Sequence, residues 1–139
     1  MYYWDGENNL ELVKRKNAIV YYFKNELHRK DGPARIFYHG NNFIKSKEYW
    51  YNGKLHRSDN DPSISFYYEN GANELEMYYY NGKKHRKDGP SEIWYDEFGN
   101  IIKKSYYFHG VNFKLKDLPF KMPIDSEEKE FLFKLKYGE

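Results

Sequence analysis

The stretch HRKDGP at residues 28–33 returns unchanged at residues 85–90, and this repetition decides the architecture of the chain. A third copy lies between them as HRSDNDP at residues 56–62, with one residue inserted. The three histidines are 28 and 29 positions apart, and each copy is followed by ARIFY, SISFY or SEIWY. A fixed period of this size indicates stacked supersecondary units rather than a globule with one catalytic pocket.

Each unit is predicted to be a β-hairpin. In the most complete unit, ELEMYYY (74–80) and SEIWYD (91–96) are rich in aromatic residues, which favour strands. Asn81-Gly82 supplies the positive φ angles of a tight turn, and Pro90 interrupts the next segment because it cannot donate to a sheet ladder. Joined head to tail, such units predict an all-β fold: an elongated, single-layer antiparallel meander of stacked hairpins.

The whole chain, residues 1–139, is predicted to be one repeat domain. Its three parts are a degenerate N-terminal unit at 1–17, hairpin repeats at 18–118 and a C-terminal cap at 119–139. Pro119 and Pro123 end the strand pattern, and DSEEKEFLFKLKY (125–137) is predicted to form a helix with Asp125 as its N-cap. This helix would cover a sheet end or one aromatic face, or it would be presented to a partner.

Aromatic residues are predicted to form ladders on both faces of the sheet. Counting back from each Asn-Gly, or from its degenerate copy, aligns Tyr22, Tyr49, Tyr78 and Tyr106. The next position aligns Phe23, Trp50, Tyr79 and Tyr107. Neighbouring strand positions face opposite sides of a sheet, so the two sets should lie on opposite faces. The ladders either replace a deep core or form a docking surface, and the two roles are compatible.

One of these faces is predicted to bind a partner. The eight candidate residues are Tyr49, Tyr51, Tyr78, Tyr80, Tyr106, Lys47, Glu76 and Lys104. The five tyrosines share strand parity, and the three charged residues lie on the same parity as a mixed-charge rim. Tyrosine is enriched in binding hot spots because it brings contact area at little cost in entropy. The opposite parity is assigned to packing.

Composition narrows the class of protein. The chain has 23 basic and 21 acidic residues, a formal charge of +2 and no cysteine. Disulfide scaffolds and thiolate metal sites are thereby excluded, and no strong electrostatic footprint for nucleic acid is present. No signal-peptide pattern and no apolar run of about 18 residues is visible, so a cytoplasmic protein is expected. Frequent Lys, Asn, Tyr, Phe and Ile indicate an AT-rich bacterial or viral genome; a phage or viral protein would act in the host cytoplasm.

The repeated His-Arg-x-Asp set raises the question of catalysis or metal binding. Its members are His28 with Asp31, His56 with Asp59, and His85 with Asp88. A histidine beside a carboxylate suits a general base or a metal site. However, a catalytic site is needed once, whereas this set recurs with the repeat, so a structural role is favoured. No nucleophile elbow, phosphate-binding loop or HExxH motif is present. We therefore expect no enzyme activity, no cofactor and no metal.

The segment YYYNGKKHRKDGPSEIWYDEFG (78–99) resembles a MORN repeat or its bacterial variant. NGKKH (81–85) and NGKLH (52–56) match the family's Asn-Gly-Lys and its histidine turn, and the resemblance covers residues 18–113. The family usually has glycine directly after the histidine, where this chain has Arg29, Arg57 and Arg86. The resemblance implies an elongated, twisted single sheet that acts as a protein-binding scaffold. Some members of the family contact membranes, and bacterial variants occur as antitoxin or immunity partners of toxins.

These observations together predict a non-enzymatic protein-binding module. The expected partner is a toxin, a nuclease or a host defence complex, and the expected role is that of an immunity protein, an antitoxin or a phage or viral inhibitor. The alternative is a scaffold that binds nucleic acid or lipid. Tyrosine ladders beside Lys83, Lys84 and Arg86 could stack bases and hold phosphates. The near-neutral charge and the unsegregated basic residues disfavour both alternatives.

Overall fold

A computed structural model of the chain describes residues 2–4, 9–58 and 60–113. All the regular secondary structure within these ranges is β-strand. These ranges therefore contain no helix that is long and apolar enough to cross a membrane. In chain order, the strands are β1 (Tyr2–Trp4), β2 (Asn9–Arg15), β3 (Ala18–Phe23), β4 (Glu26–Leu27), β5 (Arg35–Tyr38), β6 (Ile44–Glu48), β7 (Trp50–Tyr51), β8 (Lys54–Leu55), β9 (Ile64–Tyr67), β10 (Asn73–Met77), β11 (Tyr79–Tyr80), β12 (Lys83–Lys84), β13 (Glu92–Tyr95), β14 (Ile101–Phe108) and β15 (Val111–Phe113). The predicted C-terminal helix at 125–137 lies outside the described residues.

The described strands form one main sheet and two short hairpins. The main sheet has 11 strands in the order β1-β2-β3-β5-β6-β9-β10-β13-β14-β15, with β4 paired to β3. Strands β7 and β8 form one separate pair, and β11 and β12 form the other. The pairings throughout the described sheet are antiparallel, as in β5 with β6 and β13 with β14. The predicted all-β antiparallel meander is therefore confirmed.

Each complete unit contributes strands both to the main sheet and to one of the short hairpins, because its first strand is interrupted by one residue. Strand β6 passes into β7 through Tyr49, and β10 passes into β11 through Tyr78, and neither tyrosine is part of a strand. The short pairs close at Asn52-Gly53 and Asn81-Gly82, where φ is 49° and 76°, and 48° and 82°. Two successive residues with positive φ between antiparallel strands are typical of a type I′ turn. The predicted tight turns are thus confirmed.

The first unit shows that one predicted alignment is wrong. Its turn consists of Lys24 and Asn25, with φ angles of 49° and 66°. Asn25 therefore takes the position that Gly53 occupies in the next unit, not the position of Asn52. Asparagine tolerates the left-handed conformation almost as glycine does, so the residue type alone did not say which turn position it fills.

The consequence is a shift of one residue in the first aromatic ladder. The backbone N–H of Tyr21 donates to the carbonyl oxygen of Ala34 at 2.7 Å. Tyr49 makes the same bond to Ser63, also at 2.7 Å. Tyr21, rather than Tyr22, is therefore the equivalent of Tyr49.

The register of the main sheet defines its two faces. One row across neighbouring strands consists of Lys47, Ser65, Glu76, Ile93 and Lys104. The adjacent row, whose side chains point to the other face, consists of Glu48, Ile64, Met77, Glu92 and Ser105. The three charged residues of the predicted rim, Lys47, Glu76 and Lys104, thus share one row of the sheet, in keeping with their strand parity.

The interior of the described part of the chain is thin and partly polar. Its largest fully buried side chains are Leu10, His28, Ser63 and Ser91. Buried polar groups destabilise a fold unless they are hydrogen-bonded, so the contacts of these residues decide where the repeats hold together. The histidine and both serines lie where one repeat meets the next.

Candidate functional site: tyrosine clefts between the His-Arg loops

The three copies of the repeated motif, at residues 28–33, 56–62 and 85–90, form loops that we call the His-Arg loops. In each loop, Nδ1 of the histidine accepts a hydrogen bond from the backbone N–H that opens the turn of the next unit. These bonds, each 3.0 Å long, run from Asn52 to His28, from Asn81 to His56 and from His109 to His85. We call these three contacts the first, second and third joints.

The histidine rings also belong to a continuous ladder of rings along this edge of the protein. The order of the rings is Phe23, His28, Tyr51, His56, Tyr80, His85 and Phe108. Successive centroids are between 4.6 and 6.4 Å apart. Aromatic rings at this spacing attract one another, so each exposed tyrosine is held from both sides by a histidine. The rings at the centre of the ladder are therefore packed on both sides.

The arginine of each loop packs on a tyrosine and closes the loop. The guanidinium carbon lies over the ring of Tyr21, Tyr49 or Tyr78 at 4.1, 3.9 and 4.0 Å, respectively. Nη1 of the same arginine donates to the carbonyl oxygen of the proline that ends the loop, at 3.3, 3.2 and 3.1 Å. Cation–π stacking and this hydrogen bond together explain why arginine and proline recur in every copy, four residues apart in the first and third loops and five residues apart in the middle loop.

The glycine of the HRKDGP motif leaves room for the arginine side chain. A Cβ atom at Gly32 would lie 3.1 Å from the guanidinium carbon of Arg29, and one at Gly89 would lie 3.0 Å from that of Arg86. In the altered middle loop, Asp61 takes the place before the proline and lies 3.5 Å from Nη2 of Arg57 as an ion pair.

The aspartates of the motif take part in pairing within and between loops. Arg29 Nε lies 3.1 Å from Asp31, within its own loop. In the third loop, Arg86 Nε donates to Asn60 of the middle loop at 3.2 Å, and Asn60 donates to Asp88 at 3.3 Å. The segment with the inserted residue therefore bridges two loops. Among the described residues, which do not include Asp59, no three His, Asp or Glu side chains gather as a metal site.

Two clefts of equivalent construction lie between consecutive His-Arg loops. The first tyrosine cleft, of about 610 Å³, lies between loops 28–33 and 56–62 and contains Tyr49 and Tyr51. The second tyrosine cleft, of about 330 Å³, lies between loops 56–62 and 85–90 and contains Tyr78 and Tyr80. Because both arise from the same stacking of units, each is lined by the arginines of two successive loops, by the histidine of the second loop and by a pair of tyrosines from equivalent positions, and the second cleft is also lined by Tyr79.

The structure brings together four of the eight predicted partner-binding residues, two in each cleft. Within these pairs, Tyr51 and Tyr80 are 41% and 45% exposed, whereas Tyr78 is 8% exposed and Tyr49 is half-buried. Tyr106, the equivalent of Tyr78 in the next unit, is 4% exposed. The tyrosines that remain accessible are thus those of the ring ladder. Their role in binding a partner stays a prediction.

The charged members of the predicted set lie elsewhere. Lys47, Glu76 and Lys104 occupy the main-sheet row described above and do not line either cleft. The polar walls of the clefts come instead from loop residues that the sequence analysis did not assign to the site, such as Lys30, Ser58 and Lys87. The repeat period could have predicted these residues, since the stacking of units places equivalent loops side by side.

The other side of the hairpins carries the residues assigned to packing, and it is rich in ion pairs. Arg35 forms an ion pair with Glu48, whose carboxylate also accepts a hydrogen bond from Nε1 of Trp50 at 3.4 Å. The hydrogen bond to Glu48 raises the pKa of Arg35 above its usual value. Trp50, with its equivalents Tyr79 and Tyr107, is half-buried, so part of this surface remains accessible.

A second ion pair lies on the same side. Lys84 forms an ion pair with Glu92, whose carboxylate also accepts a hydrogen bond from Nε1 of Trp94 at 2.6 Å. Burial alone would raise the pKa of Glu92, but the hydrogen bonds from Lys84 and Trp94 outweigh it and hold that pKa below its usual value. The carboxylate therefore stays charged, and the pair fixes the hairpin to the main sheet.

Exposed aromatic residues also occur at the far ends of the main-sheet strands. Phe43 and Phe98 are 60% and 89% exposed in the turns after β5 and β13. At the same end of the sheet, the hydroxyl of Tyr68, which follows β9, donates to the carbonyl oxygen of Tyr95, the last residue of β13, at 2.7 Å. The two phenylalanines lie outside both clefts.

No family model, curated protein or solved structure matches this chain. The likeness of residues 78–99 to a MORN repeat accordingly stays a prediction that rests on the quoted motifs.

Proposed function

We propose that this protein is a non-enzymatic protein-binding module whose two tyrosine clefts contact a protein partner. The observation that carries the proposal is the pair of exposed tyrosines, Tyr51 and Tyr80, held at equivalent positions in consecutive clefts. Large amphipathic side chains on a fixed scaffold are what binding hot spots usually consist of.

The packing of these side chains between histidine rings supports the proposal. Tyr51 lies between His28 and His56, with centroid distances of 4.6 and 6.4 Å. Tyr80 lies between His56 and His85 in the same way, at 4.6 and 6.2 Å. A side chain that is already fixed loses little conformational entropy on association, so more of its contact energy appears as affinity.

The surroundings of the tyrosines have the composition of an interface rim. Lys30 and Asp31 stand beside the first cleft, and Lys87 and Asp88 stand beside the second. Polar and charged residues around a partly apolar centre are typical of protein–protein interfaces. Charges of both signs favour a protein surface over a uniformly charged polymer.

The proposed biological role is that of an inhibitor. A small chain that presents a fixed binding edge suits an immunity protein or antitoxin that covers a toxin or nuclease, or a phage or viral inhibitor of a defence complex. The proposed architecture is an elongated, single-layer MORN-like scaffold with residues 119–139 as its cap, acting in the cytoplasm. The repeated clefts support this architecture because they recur once per unit.

Affinity capture from the native host, with paired variants, tests the proposal. The variant Tyr51→Ala/Tyr80→Ala should lose the captured protein, because truncating a hot-spot residue costs about 2 kcal/mol or more. The control Phe43→Ala/Phe98→Ala removes two exposed rings outside the clefts and should retain it. Tyr78→Ala is unsuitable because the ring is buried beneath Arg86. Equal capture by both double variants would remove the clefts from the interface.

Nucleic acid is the second candidate, and one observation favours it. In the described lining of the first cleft, Arg29, Lys30 and Arg57 face a single carboxylate, that of Asp31. Tyrosines beside cations are used to stack bases and hold phosphates. Titration with single-stranded RNA at two salt concentrations separates the candidates. Sub-micromolar affinity that falls steeply with salt would favour nucleic acid, because it reports the release of counterions.

A further inference from the structure

We infer that the partner segment which fills the tyrosine clefts is a proline-rich, acidic peptide in the polyproline II conformation. The inference rests on the proposed protein-binding function and names its partner class. It follows from three properties of the clefts: their spacing, their aromatic content and their charge.

The spacing comes from the sheet. Each repeat adds two strands to the main sheet, and hydrogen-bonded strands are 4.7–4.9 Å apart, so equivalent positions recur about every 9.5 Å. The short hairpins keep this spacing because they are hydrogen-bonded to one another. The backbone N–H of Gly53 donates to Leu27 at 2.9 Å, and that of Gly82 donates to Leu55 at 2.8 Å. Equivalent positions in the two tyrosine clefts are therefore also about 9.5 Å apart.

Among regular peptide conformations, polyproline II fits this spacing best. It has three residues per turn and a rise of about 3.1 Å, so every third residue faces the same way after about 9.3 Å. An extended β-strand repeats its face after about 6.7 Å. An α-helix does so after one turn of about 5.4 Å or after seven residues and about 10.5 Å, and neither interval matches as closely.

The content of the clefts suits proline. Tyr51 and Tyr80 present accessible rings, and aromatic-lined grooves are a common receptor for proline-rich segments. A polyproline II peptide makes no internal hydrogen bonds, so its carbonyl oxygens are available to accept from donors of the receptor in place of water. Serine and lysine side chains of the His-Arg loops, such as Ser58 and Lys87, stand at the clefts and can supply them.

The charge of the described cleft residues selects acidic spacers between the prolines. In the second cleft, Arg57, Arg86 and Lys87 outnumber Asp61 and Asp88. In the first cleft, Arg29, Lys30 and Arg57 stand beside Asp31, and Arg57 also forms its ion pair with Asp61 of the second cleft. A segment with proline at every third position and glutamate or aspartate between would match both the spacing and the charge.

The test is an NMR titration of the isotope-labelled protein with a peptide of about twelve residues built from Pro-Pro-Glu triplets. Two peptides of the same length serve as controls. Ala-Ala-Glu triplets keep the charge and remove the conformation, and Pro-Pro-Lys triplets keep the conformation and reverse the charge. We expect saturable shifts at Tyr51, Tyr80 and the His-Arg loops, with an affinity at least about 10-fold above that for either control.

The variants then locate the site. Tyr51→Ala/Tyr80→Ala should weaken binding of the Pro-Pro-Glu peptide by about 10-fold or more, and Phe43→Ala/Phe98→Ala should leave it unchanged. The shift map is read on the unaltered protein, so it judges the inference even if the tyrosine variant fails to fold. Absence of shifts at the clefts, or equal affinity for all three peptides, would overturn it.

Failure of this inference can be told apart from failure of the proposed function. If a captured host protein depends on Tyr51 and Tyr80 but the Pro-Pro-Glu peptide neither shifts these residues nor displaces that protein, only the peptide class is wrong. If the captured protein is indifferent to both tyrosines, the clefts are not the interface, and both proposals fall.

Discussion

The first and second joints make the same hydrogen bond in different surroundings. His28, in the first joint, is 2% exposed, whereas His56, in the second, is half-buried. The residue that follows the loop also differs: it is Ala34 after the first loop and Ser63 after the second, and both are fully buried. One joint thus combines a buried ring with a methyl group, and the other combines a more accessible ring with a hydroxyl.

The hydroxyl of the second joint acts as a clamp. Oγ of Ser63 accepts the backbone N–H of Tyr79 and donates to its carbonyl oxygen, both at 3.0 Å. Ser91 makes the same pair of bonds to Tyr107, at 3.0 and 2.8 Å. A buried hydroxyl with both a donor and an acceptor contact is fully satisfied, so it stabilises the contact between units.

The backbone bond beside the clamp differs accordingly. Without a serine, the carbonyl oxygen of Trp50 accepts the N–H of Arg29 at 3.1 Å. Where a serine is present, the corresponding bond from Arg57 to Tyr79 lengthens to 3.4 Å, since the oxygen is shared with the hydroxyl. The comparison teaches that equivalent units can be joined in different ways. The first joint depends more on the burial of the histidine ring, and the second depends more on the hydrogen bonds of the serine.

The largest expected difference between the joints is the effect of removing the histidine ring. His28→Ala should lower the free energy of unfolding by about 3 kcal/mol, because it deletes a buried ring and leaves the N–H of Asn52 unpaired. His56→Ala should lower it by about 1 kcal/mol, because its ring is more accessible. Urea unfolding measures both. Equal losses would show that burial does not distinguish the two joints.

The serine clamp should give the next largest effect. Ser63→Ala is expected to cost about 2 kcal/mol because it deletes a fully buried hydroxyl and leaves the part-buried N–H of Tyr79 without its acceptor. The reciprocal change, Ala34→Ser, introduces the clamp at the first joint and should add no more than about 1 kcal/mol. Urea midpoints of the two variants give the comparison. A neutral Ser63→Ala would contradict the clamp.

The pH dependence of stability should be smaller and should arise at the second joint. Burial lowers the pKa of His56 below its usual value, so the unfolded chain takes up the proton more readily than the folded one. Its contribution is therefore complete above about pH 6.5 and is lost as pH falls from there through the folded pKa. Protonation also occupies Nδ1, the acceptor for Asn81.

Urea midpoints measured between about pH 5 and pH 7.5 check this prediction. The control is His56→Phe, which keeps a ring in the ladder and cannot titrate. The slope of stability against pH should be shallower in this variant. An unchanged slope would assign the pH dependence to other groups.

Removal of metal ions by a chelator should not change the stability of the protein. The histidines use Nδ1 as a hydrogen-bond acceptor for the next turn, which explains their repetition without a metal. The melting temperature should be the same with and without EDTA, and no stoichiometric zinc should accompany the purified protein. A drop of several degrees with EDTA would reverse this interpretation, because metal binding couples directly to stability.

Local signals in the sequence predicted the strands and turns well. Asn52-Gly53 and Asn81-Gly82 form tight turns because few other residues accept two positive φ angles in succession. The first unit was misaligned because Asn25 fits either turn position. Because asparagine is tolerated at both positions of the turn, its presence does not by itself determine the register of the strands.

Strand parity predicted which tyrosines share a cleft, but it did not predict which tyrosine of each pair is exposed. It placed Tyr49 with Tyr51, and Tyr78 with Tyr80, and each pair does share a cleft. Parity did not distinguish the members of a pair, because the strand is interrupted at Tyr49 and Tyr78 and an arginine covers each of these rings. Tyr51 and Tyr80 stay accessible in the ring ladder.

The sequence alone therefore determined the repeat, the antiparallel meander and the tight turns, since each depends on residues close together in the chain. Only the tertiary structure decided how the units join and which tyrosines remain accessible. Those properties depend on contacts between residues 24 or 25 positions apart, such as Asn52 with His28. Such contacts form only when the stacking of one unit on the next places a loop against a turn, and no local preference specifies that geometry.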